Sequence, residues 1–178
     1  MSNATIDCKN IVVGAAAQVL VGPVGSPKTQ ARDLGATNGD VTLSIAMTKT
    51  DVVIDQALGA IRSVPISVER TVSIPLSEIT LENLGLILDT VDAPAGNTLT
   101  VEQNGERYYK LWIIIDGVLD TNGKAVDREI VINRFASSGS GDNTNTKGTQ
   151  QTITLTGKAL YDCDGSSGLT ITDTPKSI

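Results

Sequence analysis

The sequence predicts a mainly β protein, a β-sandwich or partial barrel with one short helix and extended loops or arms. Val, Ile and Thr make up roughly 30% of the 178 residues, the β-branched excess that suits a pleated surface. Several runs also alternate apolar and polar residues with a period of two, between turns rich in Gly, Pro and Asn. A chain of this length can bury a real core, and residues 1–178 read as a single domain.

The elements follow in order. An apolar segment at 11–21 breaks at 22–35, where two Pro and three Gly predict a mobile loop. Asn38-Gly39 signals a turn, after which Val41, Leu43, Ile45 and Met47 alternate with Thr42, Ser44 and Ala46 as a half-buried strand would. A second strand-like piece runs from Asp51 to Asp55. A third carries Ile66, Val68, Val72 and Ile74, bracketed by Pro65 and Pro75.

The helix is expected over 77–88. Ser77 or Thr80 caps it, Glu78 and Glu82 suit its first turn, and Leu81, Leu84 and Leu88 share its packing face. Gly85 inside it costs roughly 1 kcal/mol against Ala, which points to close packing at that position.

Strands then return. Residues 106–119 are aromatic and β-branched, 120–123 form a hairpin turn by composition, and 124–135 run back. On the returning strand Val126, Arg128, Ile130 and Ile132 lie on one face, with Asp127, Glu129, Val131 and Asn133 on the other. Residues 137–148 are polar and of low complexity, a second mobile loop. Ile153, Leu155 and Gly157 mark one face of a further strand, and 165–178 form a C-terminal extension with a short strand-like piece. Six to eight strands surround one helix.

Composition removes most chemistry. There is no His, so the commonest general base, metal ligand and nucleophile-activating partner is missing. Two Cys build neither a zinc site nor a disulfide framework; with no export signal at the start of the sequence, Cys8 and Cys163 read as reduced thiols. The formal net charge of −6 gives no basic footprint for gripping nucleic acid. No apolar run reaches the ~20 residues of a membrane helix.

Motif tests add little. Residues 22–29 miss the spacing of a phosphate loop, and Pro27 removes a needed N–H. Asp162, Asp164 and Ser166 have the first spacings of a calcium loop, but Ser167 stands where Gly is required. Carboxylate pairs such as Asp116 with Asp120, or Asp127 with Glu129, lack the aromatic platform of a sugar site among only five aromatic residues. The expectation is a protein that is no enzyme and needs no metal or cofactor.

Between Leu34 and Leu88 the chain resembles the major tail tube proteins of long-tailed bacteriophages. The likeness rests on the entry Leu34-Gly35, Thr37, Gly39 and Val41; on a segment centred at Asp55, Gln56 and Gly59; and on the helix start Glu78, Thr80, Leu81, Glu82, Asn83 and Leu84. It implies a β-sandwich subunit of stacked hexameric rings that form a hollow tube in the virion tail, assembled in the host cytoplasm. It also implies partners: further copies of the chain, tail-tip initiator and terminator proteins, and a tape measure protein in the lumen. DNA would pass through without specific binding, and no membrane is involved.

Under the same resemblance, the excursion at about 48–64 stacks on the neighbouring ring, with Thr50, Asp51, Asp55, Gln56 and Arg62 as contact residues. The helix packs on the outside of the sheet, and Asp127 and Glu129 are candidates for an acidic lumen that DNA slides past. Exposed strand edges fit this reading, because a ring closes them. Two alternatives stand beside it: a tube protein like that of type VI secretion, and a monomeric immunoglobulin-like or carbohydrate-binding β-sandwich.

Overall fold

A computed structural model describes residues 17–53, 59–90, 94–101, 107–119, 124–140, 151–162 and 168–175. Eight antiparallel strands join in one sheet: β1 (Ala17–Pro23), β2 (Arg32–Asp33), β3 (Thr42–Val53), β4 (Ala60–Leu76), β5 (Tyr109–Leu119), β6 (Ala125–Ser137), β7 (Ile153–Ala159) and β8 (Leu169–Pro175). Their order is β2-β1-β5-β6-β7-β4-β3, with β8 added to β6. One helix, α1 (Leu81–Ile87), follows β4.

Two features curl this sheet over a single core. First, β6 carries β5 along one edge and divides the other edge between two partners: residues 126–132 pair with β8, and 135–137 with β7. The sheet therefore forks near Asn133. Second, the chain after β2 passes from one side of the sheet to the other. Leu34 N–H donates to the Val19 carbonyl, while Asn38 donates to Pro75 and Ser77 donates to Ala36. Residues 36–38 thus continue along the β4 edge that β3 occupies, and the sheet closes into a partial barrel.

The alternation of β1, β4, β5, β6 and β7 points one set of side chains into that barrel. Val19, Val72, Ile74, Leu76, Leu111, Ile113, Ile132, Ile153 and Leu155 are buried there in one cluster with Leu86 and Ile87 of α1. Phe135 joins them although Ile132 does not stand in phase with it, because a bulge between Tyr109 and Leu111 on β5 inserts one extra residue on β6.

Several expectations change in detail. The segment 22–35 holds the end of β1, a 3-10 turn at Lys28–Gln30 and β2. It lies across the outer face of β5 and β6, where Lys28 reaches Glu129 at 2.5 Å. The piece at 51–55 is no separate strand up to Val53; it continues β3. Both Pro65 and Pro75 lie inside the 17-residue β4 and do not bracket it, Pro65 standing opposite Lys49 where the register shifts. The C-terminal extension contributes an integral strand, β8. Residues 54–58, 120–123, 141–150 and 163–167, which include the predicted hairpin turn, most of the second loop and Asp164, Ser166 and Ser167 of the calcium-like segment, lie outside the described residues.

The helix is shorter than expected. Thr80 is its N-cap, with its hydroxyl accepting from Asn83 N–H. Its buried face is Asn83, Leu86 and Ile87; Leu81, Leu84 and Leu88 are only half-buried. In under two turns, a shift of the contact face by one position suffices to move that leucine stripe to the flank. Gly85 does pack closely, since a β-carbon there would meet the Thr90 hydroxyl at 3.1 Å and Leu99 at 3.4 Å.

β8 is held mainly by its backbone ladder, with side chains that are mostly exposed. Its one ion pair is bidentate: Arg128 Nε and Nη2 donate to the two carboxylate oxygens of Asp173 at 2.7 and 2.9 Å.

Two predictions follow from this packing. A β-carbon at Gly157 would overlap the Ala136 carbonyl and the Phe135 ring, where β7 meets β6. Gly157→Ala is therefore expected to cost about 1–3 kcal/mol of stability in a thermal or urea melt, and an unchanged midpoint contradicts this. The Arg128 hydrogen bonds hold the Asp173 carboxyl below its ordinary value of 3.8. A depressed carboxyl stabilises above its unfolded pKa and loses that contribution as pH falls through the folded one. Cross-strand NMR contacts between Ile130 and Ile171 should weaken below about pH 3.8, and Asp173→Asn should weaken them already at neutral pH.

Candidate assembly surface

Over residues 71–76, β4 is flanked by β7; over 60–70 its partner among the described residues is β3 alone. The β3–β4 pair therefore leaves the barrel as a two-stranded arm about 35 Å long at the usual rise per residue. Among the described residues, no further strand pairs with either of its outer edges. Directly opposed residues face the same side, which places Ile45 with Arg70, Met47 with Val68 and Val53 with Ala60 on one face, while Ile66 and Ile61 are the extra residues of β4 at the two register shifts.

Ile45 and Met47 are each 53% exposed, Ile61 56%, Val53 64% and Ile66 65%. The expected half-buried strand is thus covered only at its base, where Val41 and Leu43 pack on the core. Period two names the faces of a strand, and says nothing about what covers them. The opposite face carries Ser44, Thr48, Thr50, Ser67 and Glu69, with Glu69 joined to Lys158 of β7 at 2.6 Å.

Of the residues expected to contact a neighbouring ring, Thr50, Asp51 and Arg62 are exposed on the outer half of this arm. Asp55 and Gln56 lie outside the described residues. Asp127 and Glu129 share the outer face of β6, as their spacing requires, but that face is not a bare acidic one. Glu129 is engaged by Lys28, and its side chain is 27% exposed beneath the 22–35 segment. Asp127 is half-buried.

At the other end of the molecule a pocket of about 490 Å³ opens between α1 and the ends of β1 and β5. Val21, Pro23, Leu86, Pro94, Tyr108 and Tyr109 give it apolar walls, and Arg32, Arg107 and Glu82 give it charge. Arg32 is positioned by a buried amide. Asn83 accepts from Arg32 Nη1 at 2.7 Å while its own amide nitrogen donates to the Leu34 and Glu78 carbonyls at 2.9 and 2.8 Å.

Arg107 stands between Tyr109 and Asp89. Burial pushes the Tyr109 hydroxyl up, against the hydrogen bond it receives from Arg107; burial likewise raises the Asp89 carboxyl, against the pull of the same guanidinium. The side chain of Arg134 stacks on Tyr108 at 3.9 Å from the ring centre. Sequence reasoning missed this pocket. The run Arg107-Tyr108-Tyr109 was its one local signal, while Arg32 and Asn83 are brought together only by the crossing of the chain from β2 to β4.

Among the described residues no helix is long and apolar enough to cross a membrane, and no group of three or more His, Cys, Asp or Glu is placed to hold a metal ion. No protein-family model matches the chain, and no curated protein matches it. Among solved structures it is similar to a chain in the six-fold symmetrised cryo-EM structure of the anti-feeding prophage (AFP) baseplate, with a TM-score of 0.54 and 12% identity over 97% of each chain. At that identity the likeness is one of architecture: the chain shares its fold, nearly end to end, with a protein of that baseplate structure.

Proposed function

We propose that this chain is a structural subunit of a phage-tail-type particle, without catalytic activity, that assembles into stacked hexameric rings forming a tail tube. The observation that carries the proposal is the β3–β4 arm. It exposes six large aliphatic side chains and, among the described residues, two strand edges with no partner strand, a combination that costs solubility in a monomer and finds its use in an assembly. Heterologous pairing of such edges closes into a ring when the rotation allows. The fold shared with a chain of a six-fold symmetrised baseplate supports the reading from a separate direction.

In this reading the arm reaches beyond its own barrel to the next ring through Thr50, Asp51 and Arg62. The tube serves as the conduit for genome delivery. Its partners are further copies, a tail-tip initiator, a terminator and a tape measure protein inside the lumen. The net charge of −6 suits a wall that DNA passes without sticking.

The test is negative-stain electron microscopy with light scattering across a concentration series, with and without a tail-tip complex. Rings or striated hollow tubes with six-fold end views are expected. Replacing residues 50–64 by an Asn-Gly turn should abolish them while shifting the melting stability by less than about 1 kcal/mol, because the removed part lies outside the core. A wild-type chain that stays monomeric under every one of these conditions contradicts the proposal.

A further inference from the structure

We propose that the pocket beside α1 is the receptor for the outer arm of a second copy, with the carboxylate of Asp51 seated between Arg32 and Arg107 and Val53 against the apolar wall. This inference rests on the assembly reading above and adds to it a docking site on the receiving subunit.

The pocket is built for an anion with an apolar neighbour. Its volume of about 490 Å³ lies within the ~300–1,000 Å³ of ordinary ligand pockets. Arg32 is fixed in place by Asn83, a side chain only 1% exposed that spends its remaining hydrogen bonds on two backbone carbonyls. An amide oxygen orients a guanidinium without neutralising it, so Arg32 keeps the capacity for a charge-assisted bond to a carboxylate. Leu86, Pro23, Pro94 and Tyr109 form the apolar wall beside it.

The outer arm offers the matching chemistry. Asp51 and Val53 are two residues apart on β3 and so lie on the same face; both are exposed. Arg62, opposite Val52 on β4, lies on the other face of the arm and leaves the Asp51 face without a cation of its own at that position. The charge match between arm and pocket is therefore that of the Asp51 carboxylate with Arg32 and Arg107.

Geometry makes the contact intermolecular. The pocket lies at the Leu76 end of β4, where α1 begins, and the outer arm at the Ala60 end, about 50 Å away at the usual rise per residue. No copy can fill its own pocket with its own arm. A head-to-tail arrangement places the arm of each copy near the pocket end of the next, and such a heterologous contact repeats without limit along an axis.

The test places a benzophenone amino acid at Val53, irradiates the assembled protein and maps the cross-linked peptides. Cross-links from Val53 of one copy to residues 82–94 or 107–109 of another are expected. Assembly that proceeds while Val53 cross-links only elsewhere overturns the docking site and leaves the tube reading standing. Failure of the unmodified chain to assemble at all overturns both.

A charge exchange supplies a second readout. Asp51→Lys and Arg107→Glu should each lower the assembled fraction about tenfold or more, and the double variant should recover most of it. Single and double variants that assemble alike, or a double variant no better than either single one, contradict the pairing.

Discussion

Strand β4 is longer than the core it helps to build. Of its 17 residues only Val72, Ile74 and Leu76 are buried, all near its C-terminal end, where β7 and the returning segment 36–38 flank it. Apolar side chains recur along the rest of the strand, at Val68, Ile66 and Ile61, although no second layer among the described residues receives them. Each large aliphatic side chain left in water forgoes about 1.5–3 kcal/mol of burial. A chain that repeats this along both strands of a projecting ribbon has placed the completion of its packing outside itself, and the functional reading grows from that mismatch.

The barrel end is stiffened by polar contacts that are few but buried or geometrically demanding. Asn83 joins α1, the 34–36 crossing and Arg32 through three side-chain hydrogen bonds, and a buried amide with every group satisfied costs far more to remove than an exposed one. Ion pairs on the surface differ from it. Lys28–Glu129 and Glu69–Lys158 tie a loop and an arm base to the sheet, but exposed pairs contribute at most about 1 kcal/mol each, so they orient these parts more than they stabilise them. The molecule is thus firm where the pocket is built and sparsely supported along the arm.

Much of the barrel was legible in the residues. The alternation of Ile153, Leu155 and Gly157 marked the inner face of β7 correctly, and Val126, Ile130 and Ile132 did so for β6. What escaped sequence reasoning has physical causes. A bulge leaves no local signature, so neither the break in phase before Phe135 nor the continuation of β3 through 51–53 was visible. The α1 contact face depends on where its axis sits, and a helix of seven residues leaves that open by one position. The pocket depends on a crossing of the chain that brings Arg32 to Asn83, 51 positions apart. The assignment of an acidic face to Asp127 and Glu129 missed Lys28 for the same reason.

The fold, the arm and the pocket lead to one claim: the outer arm is unprotected in a single copy and becomes covered by other copies. Amide hydrogen exchange over residues 42–53 and 60–70 tests it most directly, compared between dilute and assembled protein. The account predicts outward-facing amides that exchange with little protection when dilute and slow by about 100-fold or more on assembly, while residues 72–76 remain protected in both states. Equal protection of the arm in the dilute and assembled protein would contradict it.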